Sequence, residues 1–496
     1  MALGLPIRAD ARSTSPVTSG VILSGVTIVD TSSGKLTPNM AVVVEGNRIV
    51  RIARTGSVRT RGRARVVDAR GKFVMPGFLD MHAHPLDSPD PVGSLTLMLA
   101  NGVTGFRQMS GSAALLQARR DGALPLSDTT PALLIMPGAV LTPGNAATPA
   151  AIIAEIGRQK AQGADFIKVV AATPPTFLAG LSEAKRQGLP FVGHLPPSTS
   201  VVTASQGGMR AIEHEGPTES ILLSCSSDEV ALRRDLVPPQ MPGPPSGMPQ
   251  GSGTAPTRPP GPPMTLRSLV NPMAMTTAAG FAHIERTVAS YDETRCRSVA
   301  RTLAANGTWQ VPTLLRVRTM EFSDDARYRI DPNLRYVPAA GRRLWSEVAG
   351  EFAARQTPES RATVERLFAR QLRLAKLFEE AGVPMLAGTD FGGGWVIAGF
   401  GLHQEFDLLA KAGLSPLTVL QMTTLNGARF LGREATMGSV AVGKEANLVL
   451  LDANPVESVQ ALHRIAGVIR AGRYYAPADL DQMKKSVATR YEQALP

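Results

Sequence analysis

The sequence predicts an α/β protein, a (β/α)8 TIM barrel with a small β-sandwich domain built from both chain termini. Three observations carry this prediction. The middle of the chain alternates short apolar runs with helical stretches, and its two ends are rich in β-branched runs separated by turns. Several apolar runs in the middle also stop on a histidine, a lysine or an aspartate. Such residues at strand ends are expected where a barrel carries its active site.

The N-terminal part of the sandwich is predicted over residues 20–71. Apolar runs such as residues 26–29 and 41–44 are separated by glycine-containing turns, which is typical of a small antiparallel sheet. Residues 426–485 repeat this style near the other end of the chain. We therefore expect the two ends to pair into one β-sandwich outside the central domain.

The central barrel domain is predicted over residues 72–425, where strand-like runs alternate with helical stretches as in βα units. About eight such runs occur, the number that closes a barrel with its active site at the carboxyl ends of the strands. The candidate strands are residues 78–82, 103–109, 133–137, 166–170, 190–194, 211–214, 310–314 and 384–388. The candidate helices are residues 149–162, 201–207, 288–305, 355–382 and 415–430.

A segment rich in proline and glycine interrupts this rhythm at about residues 237–264. Proline lacks the backbone donor that helices and sheets need, and glycine leaves the chain flexible. The segment predicts a solvated, mobile loop inserted between the sixth and seventh strands, outside the chemistry.

Charge and hydropathy limit the partners of the chain. Its 496 residues carry a formal net charge of +11, but the arginines are spread singly or in pairs without a long basic run. We interpret the charge as a solvated basic surface and predict no nucleic-acid partner. No apolar run reaches the roughly 20 residues of a membrane span, so we also predict no membrane association.

The first residues lack the apolar core of a signal peptide, which predicts a cytoplasmic protein. A processed exported chain is the alternative. Two cysteines, Cys225 and Cys296, are too few for a disulfide framework. We expect two free buried thiols, and a single bridge across the proline-rich segment is the alternative for an exported protein.

The strongest local signal is the apolar run that ends in His82 and His84. Their i, i+2 spacing directs both imidazoles to the same face of a strand, where they can hold one metal ion. A His-x-His pair alone is weak, because chance pairs are common. Its position at the end of a predicted barrel strand makes it a candidate metal site.

Four other predicted strands carry candidates. Lys168 is a charged residue within an apolar run, and His194, His214 and Asp390 each end a further run. A lysine inside a barrel needs a partner, and a lysine carbamylated by CO2 becomes an anionic oxygen ligand that can bridge two metal ions. Each residue alone would suggest a packed core residue or a helix cap. Five strand ends that all bear such residues are hard to explain by packing.

With these residues the chain resembles the amidohydrolase superfamily, in the branch similar to imidazolonepropionases and Xaa-Pro dipeptidases (prolidases). The resemblance covers almost the whole chain. It is carried by PGFLDMHAH at residues 76–84, FIKVV at 166–170, GTD at 388–390 and the tail at 423–455. It implies a distorted (β/α)8 barrel with the terminal β-sandwich. The proline-rich insertion departs from the family pattern.

The resemblance implies two divalent metal ions, which we expect to be zinc, and a CO2-derived carbamate on Lys168. Asp390 would also be catalytic, because it would accept a proton from water and pass it to the leaving nitrogen. The ligands of one ion would be His82, His84, Lys168 and Asp390. The ligands of the other would be Lys168, His194 and His214.

We therefore predict a dinuclear metal-dependent hydrolase that cleaves an amide C–N bond of a small molecule, such as a dipeptide or an N-acyl amino acid. Family members also lead us to expect a homo-oligomer. A mononuclear deaminase or cyclic-amide hydrolase is the alternative, although those relatives need no lysine on the fourth strand. A lactonase or esterase could use the same core. A binding module with this fold is the alternative outside enzymes, and the retained ligand positions argue against it.

Four more residues are candidate substrate contacts. Arg107 and Gln108 lie near the end of the second predicted strand, and the rigid fork of an arginine suits a carboxylate. A structural salt bridge is the alternative for Arg107. Trp395, on the glycine-rich loop after Asp390, could line the pocket. His403 could reach the substrate from the same region, with a structural role at a helix start as its alternative.

Overall fold

The structure, a computed structural model, describes residues 16–215, 220–236 and 264–493, and their strands form three sheets. The strands are β1 (Val21–Val29), β2 (Leu36–Glu45), β3 (Arg48–Arg54), β4 (Arg65–Asp68), β5 (Phe73–Pro76), β6 (Phe78–Ala83), β7 (Val103–Gln108), β8 (Ala132–Ile135), β9 (Ile167–Val169), β10 (Phe191–Gly193), β11 (Ala211–Glu213), β12 (Trp309–Val311), β13 (Leu448–Leu451), β14 (Ile465–Arg470) and β15 (Arg473–Tyr475).

Helices lie between these strands and after the last one. They are α1 (Pro91–Ala100), α2 (Ala113–Arg120), α3 (Pro149–Ala161), α4 (Pro174–Gln187), α5 (Val201–Gln206), α6 (Ser220–Ser224), α7 (Glu229–Arg234), α8 (Met264–Val270), α9 (Ala278–Ala289), α10 (Glu293–Asn306), α11 (Leu314–Glu321), α12 (Ala326–Arg329), α13 (Ala339–Ala354), α14 (Pro358–Ala381), α15 (Phe400–Lys411), α16 (Pro416–Met422), α17 (Leu425–Phe430) and α18 (Pro477–Gln493). Short 3-10 turns occur at Pro85–Asp87, Pro272–Met275, Pro332–Tyr336 and Val459–His463.

Local sequence explains where several helices start. The helices α1, α3, α14 and α16 begin at a proline, whose missing donor is not needed in the first turn. The preceding residues are Asp90, Thr148, Thr357 and Ser415, and each side chain accepts a hydrogen bond from a backbone N–H of the first turn. Both features stop the helix from extending backwards into the loop that leaves a strand.

The two ends of the chain form one eight-stranded sheet in the order β15-β14-β13-β5-β1-β2-β3, with β4 beside β1. The N-terminal and C-terminal parts join through the antiparallel pair of β5 and β13, where Met75 lies opposite Val449. Apolar side chains of both parts share one buried cluster, which includes Leu23, Val42 and Leu450. The two-layered sandwich and the domain boundaries stay predictions.

The middle of the chain forms two parallel sheets, ordered β6-β7-β8 and β12-β11-β10-β9. In the second sheet Lys168 lies opposite Val192, and Gly193 lies opposite Ile212. Because the strands are parallel and in this register, their carboxyl ends lie at the same edge. The observed strands overlap seven of the eight predicted runs.

The eighth predicted run, residues 384–388, does not form a strand, and residues 384–391 make isolated bridges instead. Met385 bridges to β12 of one parallel sheet, and Phe391 bridges to β6 of the other. The segment packs tightly, because a Cβ atom at Gly388 would lie 2.7 Å from Cβ of His82. The described residues thus have a TIM-barrel-like α/β arrangement in which this segment connects the two parallel sheets, without a closed ring of eight strands.

The expectation of two free thiols is wrong. Cys225, directly after α6, and Cys296, in α10, are joined by a disulfide, with Cα atoms 4.4 Å apart. The N–H of Asp292 donates to the carbonyl of Cys225, and an antiparallel bridge joins Ser226 to Tyr291. These contacts hold the start of α10 against the end of α6. Cysteines separated by 71 positions are therefore neighbours in space, which their spacing in the sequence could not reveal.

In the part of the chain that the structure describes, every helix is too short or too polar to cross a bilayer. The predicted proline-rich loop lies outside the described residues except for Met264, where α8 begins. Residues 1–15, on which the signal-peptide prediction depends, lie outside them as well.

Candidate metal centre

The carboxyl ends of the parallel strands bring together the six predicted metal ligands. Each ligand comes from a different position along the two sheets. They are His82 in β6, His84 just after it, Lys168 in β9, His194 after β10, His214 after β11 and Asp390 in the connecting segment.

His82, His84 and Asp390 form the tightest group, with one ligand atom of each within 4.8 Å of the others. Oδ1 of Asp390 lies 3.2 Å from Nε2 of His82 and 3.2 Å from Nε2 of His84. The ligand atoms of a tetrahedral ion with bonds of about 2.1 Å lie roughly 3.4 Å apart. The three donor atoms therefore fit a shared divalent ion.

Lys168, His194 and His214 lie beside this group. Nζ of Lys168 is 3.3 Å from Nε2 of His82, and Nε2 of His214 is 3.9 Å from Oδ2 of Asp390. The ring centroid of His194 lies 4.8 Å from that of His214. The six side chains thus form one continuous cluster, with Lys168 next to the tightest group and His194 farther from Asp390.

Three of the imidazoles are oriented by a side-chain oxygen on their Nδ1 atom. Nδ1 of His82 contacts Oε2 of Glu213 at 2.8 Å, and Nδ1 of His214 contacts Oγ1 of Thr313 at 2.7 Å. Nδ1 of His84 contacts Oγ of Ser110 at 2.6 Å. Where such an oxygen accepts a hydrogen bond from Nδ1, the ring proton lies on that atom and the lone pair is on Nε2, the atom that faces Asp390. Such partners hold metal-ligating histidines in place.

Ser110 is itself oriented as an acceptor. Its hydroxyl donates to the carboxylate of Asp87, which also receives a hydrogen bond from Nε2 of Gln108 at 2.8 Å. The oxygen of Ser110 is therefore available to the ring of His84. Gln108, a predicted substrate contact, instead helps to hold this chain of hydrogen bonds.

Arg107 and Glu213 form a fully buried ion pair beneath the cluster. Nη2 of Arg107 lies 2.8 Å from both carboxylate oxygens of Glu213, and both side chains are 0% exposed. Burial opposes the charge of Glu213, but Arg107 and His82 outweigh it and lower the pKa of that carboxyl to about 2. This fully buried ion pair favours the salt-bridge alternative for Arg107.

Burial favours the neutral form of most of the imidazoles. It lowers the pKa of His82 and of His214, and together with the charge of Lys168 it lowers the pKa of His194 to about 3. Burial also disfavours the charged form of His84, but Asp390 and Asp87 outweigh it and raise its pKa. Neutral imidazoles are the form that binds metal ions.

Asp390 is ionised in this environment. Burial alone would favour its protonated form, but His214 and His82 hold its pKa well below the ordinary value. A second carboxyl, Asp80, lies below it and accepts hydrogen bonds from the hydroxyl of Thr389 at 2.7 Å and the N–H of His82 at 3.2 Å. Burial raises the pKa of Asp80 to about 7 in spite of these bonds.

Backbone strain is concentrated here. His214, Thr313 and Asp390 have φ angles of 72°, 45° and 53°. This left-handed region is uncommon for residues other than glycine, and asparagine, aspartate and histidine adopt it more often than the rest. Such conformations cost roughly 1–3 kcal/mol each and are retained where the surrounding contacts enforce them, often at functional sites.

Two predicted substrate contacts pack against other aromatic side chains. The side chain of Trp395 is buried and stacks on Tyr328 with ring centroids 5.8 Å apart. His403 contacts the carbonyl of Asn101 at 3.0 Å and packs edge-on against Phe78. Because Phe78 begins β6 and His82 lies near its end, His403 sits at the opposite end of this strand from the candidate ligands.

Sequence reasoning missed several residues that support the cluster. Glu213 and Asp80 are acidic residues inside buried strands, a signal as clear as that of Lys168. Arg316, in α11, lies with Nε 3.3 Å from Oδ2 of Asp390. It had no comparable signal, because it follows its strand by five positions and lies within a helix, away from any strand end.

Comparison with known proteins agrees with this arrangement. The amidohydrolase family matches residues 282–474. An adenine deaminase of Rubrobacter xylanophilus is 35% identical over 78 residues, which are 16% of this chain and 12% of that protein. The chain therefore matches only about an eighth of the length of this curated relative.

Solved structures share the fold over nearly the whole chain. A bottromycin amidohydrolase superposes with a TM-score of 0.67 at 22% identity, over 95% of this chain and 90% of that one. A Xaa-Pro dipeptidase with methionine bound in its active site gives a TM-score of 0.60 at 18% identity, over 92% and 100% of the two chains. The family match over residues 282–474, the shared fold and the cluster of histidines, lysine and aspartate at the strand ends thus agree with the predicted resemblance to the amidohydrolase superfamily.

Proposed function

We propose that this protein is a dinuclear metal-dependent hydrolase that cleaves an amide C–N bond of a small molecule, such as a dipeptide or an N-acyl amino acid. One observation carries the proposal: the Nε2 atoms of His82 and His84 face Oδ1 of Asp390 at 3.2 Å, with Nζ of Lys168 3.3 Å from His82. The curated relative is a deaminase, which also acts on a C–N bond, and the dipeptidase neighbour shares the fold.

The residues fit two divalent ions, and zinc suits imidazole and carboxylate ligands. When bound, such ions lower the pKa of water toward about 7 and polarise a carbonyl group. Asp390 accepts the proton that the attacking water loses and passes it to the leaving nitrogen. Glu213, Ser110 and Thr313 keep the imidazole rings in the tautomer that ligation needs.

Lys168 has the role of a bridging ligand in this proposal. Its neutral amine adds to CO2 and releases one proton, which leaves an anionic carbamate. The side chain is 2% exposed and lies beside His82, so an anion here would face both groups of ligands. Lys168→Ala is expected to lose activity and the 13C carbamate NMR signal from labelled bicarbonate, whereas Lys185→Ala, at an exposed position of α4, keeps both.

The proposal also includes how the sheets are arranged in the fold. The two parallel sheets and the connecting segment form a distorted (β/α)8 barrel, and the terminal strands form a β-sandwich beside it. A homo-oligomer is the expected assembly, which light scattering of the purified chain tests.

Metal content measured by elemental analysis, on protein purified without chelator, is the first test. About two ions per chain, with hydrolysis of N-acyl amino acids or dipeptides abolished in Asp390→Asn, is the expected result. An apoprotein that stays inactive on these substrates after reconstitution with zinc or manganese in bicarbonate would overturn the proposal.

A mononuclear deaminase or cyclic-amide hydrolase is the second candidate. The tightest group of ligand atoms among the described residues contains only His82, His84 and Asp390, and the curated relative named above is an adenine deaminase. About one ion per chain, with a Lys168→Ala variant that stays active, would favour this candidate.

A further inference from the structure

Arg316 is a buried cation that is fixed independently of the candidate ligands. Its side chain is 5% exposed. Nη1 donates to the carbonyl of Val270 at 2.9 Å, and Nη2 donates to the carbonyl of Leu269 at 2.7 Å. Both carbonyls belong to the last turn of α8, where a helix leaves carbonyl groups without partners inside the helix. The guanidinium is therefore held at one end by backbone.

The third nitrogen of this group, Nε, faces Asp390. Nε of Arg316 lies 3.3 Å from Oδ2, while Oδ1 lies 3.2 Å from Nε2 of His82 and from Nε2 of His84. The two carboxylate oxygens thus have different surroundings. Oδ1 faces the imidazoles of His82 and His84. Oδ2 faces a cation whose position is set by α8, and it also lies 3.9 Å from Nε2 of His214.

The loop after Asp390 is shaped to admit the guanidinium. A Cβ atom at Gly393 would lie 2.5 Å from both Cζ and Nε of Arg316. The φ angle of Gly393 lies outside the left-handed region, so the need for glycine comes from space and not from backbone conformation. The N–H of Gly393 also donates to the carbonyl of Asp390 at 3.2 Å. Gly393 therefore packs against the guanidinium of Arg316 and is hydrogen-bonded to the backbone of Asp390.

We propose that Arg316 is a positioning residue for Asp390. It holds Oδ2 through Nε and so fixes the direction in which Oδ1 faces His82 and His84. The inference rests on the proposed function, because it assigns to Asp390 both ligation and proton transfer. Arg316 itself needs no contact with substrate in this role.

Two variants test the proposal by different routes. Arg316→Gln removes the cation, and Gly393→Ala keeps the cation but displaces it with a methyl group. Their matched controls are Arg318→Gln and Gly350→Ala. Arg318 lies on the same helix and pairs with Asp325 at 2.9 Å, and a Cβ atom at Gly350 meets nothing within 4 Å.

The first readout is titration of the apoprotein with Co2+, followed by visible absorption. Both test variants are expected to bind Co2+ about 10-fold more weakly than wild type, as is usual when a residue that orients a ligand is lost. Both controls are expected to match wild type. The second readout is steady-state kinetics, where kcat falls in both test variants while KM changes little, and Arg316→Lys restores part of kcat.

The outcomes separate the two proposals. Wild-type protein that binds no Co2+ overturns the proposed function and this assignment with it. Wild-type protein that binds Co2+ and hydrolyses amides, with Arg316→Gln and Gly393→Ala unchanged in both readouts, overturns only the role of Arg316. A rise in KM at constant kcat also overturns positioning, because it indicates that Arg316 binds the substrate.

Discussion

Glu213 orients the ring of His82, because its carboxylate lies 2.8 Å from Nδ1. Glu213→Gln is expected to weaken metal binding about 10–100-fold, the usual cost of losing such a partner. Glu321→Gln is a matched control, since it also changes a buried glutamate, one bonded to Gln371 at 2.8 Å. Competition with a chelating dye measures both affinities. Equal affinities in Glu213→Gln and wild type would contradict the assignment.

The candidate ligands and their supporting residues differed in how far the sequence could predict them. Lys168, His194, His214 and Asp390 each end or interrupt an apolar run, so a continuous apolar pattern that stops on a ligand-type residue was enough to single them out. The role of Arg107 depends on Glu213, which is 106 positions away. No local pattern carries such a pairing. The sequence therefore predicted the cluster better than the contacts that orient it.

At the scale of single elements, α11 begins with an unusual cap. Its N-cap residue, Thr313, makes no side-chain cap hydrogen bond. The first N–H groups of the helix, at Leu314 and Leu315, instead donate to the carboxylate of Glu405 at 3.0 and 2.7 Å. Glu405 belongs to α15, so a side chain of α15 caps the start of α11, directly after Thr313.

This cap predicts a pH dependence of stability. Burial raises the pKa of Glu405 from the ordinary 4.5 to about 8, although the N–H groups of Leu315 and Leu314 oppose the shift. Between these values the folded state binds more protons than the unfolded state, so the free energy of unfolding falls as pH rises. Glutamine at this position has no proton to lose. The free energy of unfolding of Glu405→Gln, relative to that of wild type, is therefore expected to rise from about pH 5 to pH 8. Denaturant titrations at several pH values measure this, and parallel curves would contradict it.

The disulfide is a second feature at the scale of elements, since it ties α10 to the residue after α6. A bridge across 71 positions removes loop entropy from the unfolded chain, and the chain-entropy model gives about 4 kcal/mol for a loop of this size. Reduction is therefore expected to lower the free energy of unfolding by about this amount. The Cys225→Ser/Cys296→Ser double variant should show the same loss and no further response to reductant. A free-thiol assay that finds two reactive thiols in the native protein would contradict the bridge.

The elements themselves were predictable where local pattern decides them. Seven of the predicted apolar runs are parallel strands in the structure. A strand that is buried on both faces reads as a continuous apolar run, so it can be recognised without knowledge of its distant partners. The eighth run did not become a strand. Close packing at Gly388 and the left-handed backbone of Asp390 set its path, and both depend on neighbours that are distant in sequence.

At the scale of the whole molecule, the candidate ligands come from two sheets that no continuous strand ladder joins in the described residues. The parallel sheets meet through the isolated bridges of residues 384–391 and through the bridge of Leu141 with Val169. His82 and His84 come from the three-stranded sheet, whereas Lys168, His194 and His214 come from the four-stranded sheet, and Asp390 comes from the connection. Ions that bind this set would cross-link both sheets through side chains.

Chelation is therefore expected to lower the thermal unfolding midpoint of the whole protein. A ligand that binds only the folded state stabilises it by about 4 kcal/mol at a concentration 1,000-fold above its dissociation constant. Calorimetry before and after dialysis against a chelator measures the change, and added zinc should reverse it. The His82→Ala/His84→Ala double variant is the control, since its midpoint should respond much less to either treatment. A wild-type midpoint that is indifferent to chelator and to zinc would mean that no ion links the two sheets.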